Sequence, residues 1–116
     1  MGERICIRFV HKDYEASPTL YAHWDGPTLA SEARAFISKL NEFGFRRDPS
    51  NVMVNFILYH CEAARDGMYY LTSLEDASEP DWGFWEVDTE TGLMRMIDRE
   101  GNALSNWGTG PKWEWN

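Results

Sequence analysis

The apolar residues of this chain change their spacing twice, and that change restricts the fold more than any motif in it. Residues 4–10 alternate, with Ile5, Ile7 and Phe9 on one side and Cys6, Arg8 and Val10 on the other. Side chains two apart share one face of a strand, so this segment reads as a strand. Residues 19–25 alternate again, Leu20, Ala22 and Trp24 against Tyr21, His23 and Asp25. The polar, turn-like stretch 11–18 between them predicts an antiparallel hairpin. Gly26-Pro27-Thr28 then ends the strand and opens a helix with Thr28 as N-cap. Within it Leu29, Ala33, Phe36, Ile37, Leu40 and Phe43 recur at a spacing of three and four, a stripe that packs on the sheet, and Gly44 stops it. Asp48-Pro49 opens a second helix, with Asp as N-cap and Pro in the first helical position. Its apolar residues (Val52, Met53, Phe56, Ile57, Tyr59, Cys61 and Ala64) cover more than one stripe, so burial on two sides, between the first helix and the sheet, is expected, ending at Asp66-Gly67.

Beyond residue 67 the period returns to two. Residues 68–74 read as a strand and 75–81 as a polar acidic loop. Residues 84–87 and 93–97 flank Asp88-Thr89-Glu90-Thr91-Gly92, a hairpin with turn chemistry. A further turn at 98–102 returns Ala103-Leu104 toward the sheet. The order ββααβββ predicts an α+β domain over residues 1–106: an antiparallel sheet of about five strands with two helices on one face. The other face is left for solvent or a partner. Residues 107–116 form a Trp-rich tail that either packs back or stands out as an aromatic arm. At 116 residues, with 43% hydrophobic content, one packed domain is all the chain supports.

Charge is unevenly placed. Residues 1–65 hold eight bases and eight acids, whereas residues 66–116 hold three bases against eleven acids and carry the entire net charge of −8. Between Arg65 and Arg95 there is no Lys or Arg. An acidic half of this kind repels phosphate and lipid headgroups and attracts basic surfaces, which argues against direct nucleic-acid or membrane binding. There is also no apolar run of the ~18 residues that a membrane span requires. The start lacks the layout of a secretion signal, and Cys6 and Cys61 show no small-disulfide spacing, so reduced thiols in a cytoplasmic setting are expected. With six Trp in the chain, not every indole can be fully buried, and some belong at a contact surface.

Motifs for chemistry are scarce. Tyr21, His23 and Asp25 share one strand face and make a possible ligand, metal or general-base site, but zinc would want more ligands at recognised spacing. His60-Cys61-Glu62 occupies consecutive helical positions, which point in different directions. His11 and Asp13 sit in a predicted turn. No Walker loop, dinucleotide fingerprint or nucleophile elbow occurs, so no cofactor and no catalytic residue is assigned.

The segments Met1-Gly2-Glu3-Arg4 and Leu20-Tyr21-Ala22-His23-Trp24-Asp25-Gly26 resemble a set of small phage and bacterial proteins. Those begin Met-Gly-Asn-Arg and carry Tyr-Leu-His-Trp-Asn-Gly on their second strand. The resemblance covers the first quarter of the chain and transfers to Arg4, Tyr21, His23, Trp24 and Gly26. It departs at Glu3 and Asp25, where those proteins have Asn, and in lacking a second Gly after Gly26. It implies the company of mobile elements, hence a host cytoplasm, and no particular chemistry. The expected function is a non-enzymatic interaction protein whose acidic, aromatic surface docks on a basic protein. Phage anti-defence inhibitors (anti-CRISPR proteins among them) and toxin-immunity proteins share that profile. The expected contact residues are Glu75, Asp76, Glu79, Asp81, Trp82, Trp85, Glu86 and Asp88. The alternatives are a ligand-binding domain or enzyme centred on Tyr21, His23 and Asp25, and a homo-oligomer strapped by the Trp-rich tail.

Overall fold

In β1 (Ile5–Val10), Ile5, Ile7 and Phe9 are sealed inside, and so is Cys6 on the opposite side. A strand buried on both faces belongs at the centre of its sheet, and β1 lies there. The computed structural model describes residues 3–23, 26–43, 46–59 and 69–111. After β1 come β2 (Thr19–Ala22), α1 (Gly26–Phe43), α2 (Pro49–Tyr59), β3 (Tyr69–Thr72), β4 (Phe84–Asp88) and β5 (Met94–Ile97), so the fold is α+β, with five strands and two helices among the described residues. The sheet order is β3-β2-β1-β4-β5.

That sheet is mixed, which corrects the antiparallel expectation. β1 pairs antiparallel with β2, β2 with β3 and β4 with β5, but β1 and β4 run parallel, with Cys6 opposite Phe84 and Arg8 opposite Glu86. The return from β3 brings β4 back beside the central strand instead of adding it outside β3. A pairing across some 78 residues leaves no local trace in a sequence.

One face carries the main core. Ile5, Ile7 and Phe9, with Leu20, Ala22, Trp85, Val87 and Met94, meet Leu29, Ala33, Phe36, Ile37 and Leu40 of α1 and Val52, Met53 and Phe56 of α2. Phe56 is the wedge, edge-on to Phe9 of the sheet at 5.7 Å and to Phe36 of α1 at 5.6 Å. α1 begins at Gly26, two residues before the expected Thr28 cap, because the helix start is pressed against the sheet. A Cβ on Gly26 would lie 2.7 Å from the Glu3 carbonyl oxygen, and the Gly26 N–H donates to that oxygen at 3.0 Å. α2 starts at Pro49 as its sequence predicts. It is buried between α1 and the sheet through Val52, Met53 and Phe56, as expected, but Tyr59 of the expected buried set is 53% exposed, and Val54 and Leu58 at 56% and 65% make its solvent side apolar as well. Gly44 and residues 60–68, including the expected helix end and the His60-Cys61-Glu62 cluster, lie outside the described residues.

The opposite face, expected to be open, is covered in part. The loop 73–83 folds across it, and Ala77 and Leu74 cover Cys6, Tyr21, Phe84 and Ile97 in a second small core. Arg99 pins that loop: its Nη1 donates to the carbonyls of Leu74 at 3.0 Å and Ala77 at 2.6 Å, and its guanidinium lies over Phe84 at 4.8 Å. Beyond β5 the chain turns back on itself. Met94 exchanges backbone hydrogen bonds with Gly108, Leu104 N–H donates to Met96, and Ala103 bridges Ile97. The start of the Trp-rich segment therefore packs back along the outer edge of β5. Among the described residues nothing pairs with the outer edge of β3. No helix among them is long and apolar enough to cross a membrane.

Candidate functional site

The turn that feeds β4 is built by short-range bonds. Gly83 N–H donates to Pro80 O at 3.3 Å, and Gly83 O accepts from Cys6 N–H at 3.2 Å, while Trp82 N–H donates to Arg4 O at 2.9 Å. This holds Pro80, Asp81, Trp82 and Gly83 against the start of β1. Trp85, two residues on, points to the helix-bearing side, and its indole Nε1–H donates back to Trp82 O at 2.7 Å. Its neighbour across the β4–β5 ladder is Met96. On the far side stand Gly110 and Pro111, brought there by the return of the chain along β5. Gly110 has φ +87°, and a Cβ on it would lie 2.5 Å from Met94 Sδ, so only glycine lets the backbone pass.

Together these residues wall a cleft of about 420 Å³, lined by Pro80, Asp81, Trp82, Gly83, Trp85, Met96, Gly110 and Pro111. Its walls are indole, thioether and pyrrolidine, with one carboxylate at the rim. A mostly apolar concavity of this size with few polar groups is what a protein offers to a ligand or to an anchoring side chain. The rim carboxylate is already engaged: Arg4 Nε donates to Asp81 Oδ2 at 2.8 Å and Arg4 Nη2 to Oδ1 at 3.2 Å. These hydrogen bonds hold the Asp81 carboxyl down to about 2, and Asp81 in turn raises the Arg4 guanidinium above its ordinary value.

The expected contact residues thus divide. Asp81, Trp82 and Trp85 come together in the cleft, although Trp85 is only 8% exposed. Glu75, Asp76 and Glu79 are exposed on the loop that leads to it. Glu79 accepts from Arg99 Nη2 at 2.9 Å, and among the described residues Glu75 and Asp76 make no side-chain ion pair. Glu86 does not belong to this surface. It is 2% exposed on the opposite face, between Arg8 and Arg95, because neighbours on a strand point opposite ways. Asp88 accepts the Glu90 N–H at 2.7 Å, which shapes the hairpin turn, and it shares a face of β4 with Glu86.

Of the alternative site, Tyr21 and His23 do meet. Tyr21 is buried, stacked on Tyr70 at 4.7 Å, and His23 stands edge-on to it at 5.0 Å. Asp25 lies outside the described residues, as does Trp24. Among those described, no three His, Cys, Asp or Glu side chains are placed to hold a metal ion. His11 accepts the Asp13 N–H at Nδ1, 3.1 Å, which puts its proton on Nε2, and Nε2–H donates to Glu90 at 3.0 Å. That bond lowers the Glu90 carboxyl from its ordinary value.

Sequence reasoning missed Met96, Gly110 and Pro111. Met96 was within reach, because a hairpin turning at 88–92 puts it opposite Trp85. The fold of 103–111 along β5 had no periodic signal. No protein-family model, curated protein or solved structure matches this chain.

Proposed function

We propose that this chain is a non-enzymatic interaction protein that receives a basic segment of another protein at the Trp82–Trp85 cleft. The observation that carries the reading is the coincidence of an aromatic cleft of about 420 Å³ with the end of a loop rich in carboxylates. Lys and Arg side chains suit both parts. Their aliphatic stems pack on indole and methionine, and their cationic heads favour aromatic faces and nearby carboxylates. Asp81 is neutralised by Arg4, so the steering charge comes from Glu75, Asp76 and, beside Arg99, Glu79. A phage anti-defence protein of the anti-CRISPR kind, or an immunity protein, that occupies the basic surface of a nucleic-acid-binding protein works in this way.

The test is a titration with lysine- and arginine-rich peptides containing one proline or leucine, following the indole N–H resonances of Trp82 and Trp85. Saturable shifts are expected, absent for acidic peptides and abolished by Trp82→Ala. Affinity should fall as salt rises from about 50 mM to about 500 mM, where the screening length drops below the spacing of exposed charges. Equal binding of acidic and basic peptides, or shifts that persist in Trp82→Ala, would remove the cleft from the proposal.

A further inference from the structure

On the sheet face opposite the helices, Arg8, Glu86 and Arg95 stand side by side on β1, β4 and β5, in register. Glu86 Oε2 accepts from Arg8 Nη2 at 3.0 Å and from Arg8 Nε at 3.3 Å, and Oε1 accepts from Arg95 Nε at 2.8 Å. The carboxylate is buried, while the two arginines keep 20% and 30% of their side-chain surface. One carboxylate balances one guanidinium, which leaves a positive charge in the floor of this face. Arg95 meets Glu86 only through Nε, so its two terminal nitrogens remain as donors, and its guanidinium lies on the Trp107 ring at 4.2 Å. That stacking fixes the plane of the fork.

Above this floor is a second cleft, of about 480 Å³, whose other walls include Lys12, Tyr14 and Trp107. Its charged lining is Arg8, Lys12 and Arg95 against Glu86 and Asp88, a local excess of one positive charge in a chain of net charge −8. His11, also in the wall, is held between the Asp13 N–H and Glu90, and Asp88 by the Glu90 N–H.

We propose that this cleft binds a small organic oxyanion, a carboxylate or phosphate group carried on an aromatic ring. The head group takes the terminal nitrogens of Arg95 with Arg8 and Lys12 beside it, and the ring lies between Trp107 and Tyr14. A planar guanidinium fork matches a carboxylate or phosphate edge with two parallel hydrogen bonds, and prior orientation by Glu86 and Trp107 lowers the cost of ordering it. The site lies on the other face of the sheet from the Trp82–Trp85 cleft and stands or falls separately from it.

Benzoate, phenyl phosphate, inorganic phosphate and neutral benzamide, titrated into the labelled protein, test it. Benzoate and phenyl phosphate should shift the Trp107 indole and Arg95 Nε–H resonances saturably, at least about tenfold more tightly than inorganic phosphate or benzamide. Arg95→Gln and, should that variant unfold, Trp107→Leu should each weaken benzoate by about tenfold or more. The assignment is overturned if no anion gives a saturable shift by about 20 mM. It is equally overturned if benzamide matches benzoate, if inorganic phosphate matches phenyl phosphate, or if the folded variants bind as the parent does.

Discussion

Cys6 is fully buried, and burial pushes its thiol up to about 12. Only the thiolate attacks alkylating reagents, so at pH 8 roughly one molecule in ten thousand is reactive. Native protein treated with iodoacetamide at pH 8 should therefore leave the Cys6 peptide unmodified by mass spectrometry, and urea should expose it. Asp81 is the reverse case. Its folded-state acidity is enhanced by Arg4, so it holds its proton less firmly folded than unfolded. The Arg4–Asp81 contribution is thus present above the ordinary carboxylate range and is lost as pH falls from about 4 toward about 2. A ¹³C titration of the Asp81 carboxyl should have its midpoint near 2, returning to the ordinary range in Arg4→Gln. Trp85 and Glu86 show what one residue of offset does. They sit together in the sequence as part of one acidic, aromatic run, yet strand alternation sends the ring toward the helices and the carboxylate to the opposite face.

Among the elements, β4 carries the strongest conflict of forces, because Glu86 is buried beside Arg8 and Arg95. Removing only the carboxylate leaves two partly desolvated cations facing each other, so Glu86→Leu should cost on the order of 3–5 kcal/mol in urea unfolding. Replacing all three as Arg8→Met, Glu86→Leu and Arg95→Met should recover most or all of that loss. A triple variant no more stable than Glu86→Leu alone would show that the trio is held by something other than its own charges. The existence and type of the elements were legible because their signals are local. The alternation in β1, the three-and-four spacing from Leu29 to Leu40 and the Asp88–Gly92 turn all lie within a few residues. The parallel pairing of β1 with β4 and the crossing of loop 73–83 over the second face depend on partners far away in the chain. The Arg8–Glu86–Arg95 trio followed from that pairing and was invisible without it. The candidate cleft was half legible: Asp81, Trp82 and Trp85 were singled out by composition, but Met96, Gly110 and Pro111 entered through chain return. α2 was legible in part: its place between α1 and the sheet followed from Val52, Met53 and Phe56, whereas the outward turn of Tyr59 did not.

For the whole molecule, charge is the organising variable. The chain is strongly acidic, yet the two clefts differ: one follows a loop carrying Glu75, Asp76 and Glu79, and the other has guanidiniums in its floor. A basic peptide and a small anion would be sorted between them by sign alone. Glu75→Lys with Asp76→Lys should slow association of a basic peptide about tenfold at low salt and change little at high salt, read by stopped-flow tryptophan fluorescence. An association rate unaffected at low salt would show that these two carboxylates do not steer. The two borders of the sheet are unlike in another respect. β5 is hemmed by the chain's own residues 103–109, whereas β3 is the last strand of the ladder on the other side among the described residues. With residues 103–109 already seated beside it, β5 has no room for a strand from another molecule, so sheet growth by edge pairing is blocked on that side.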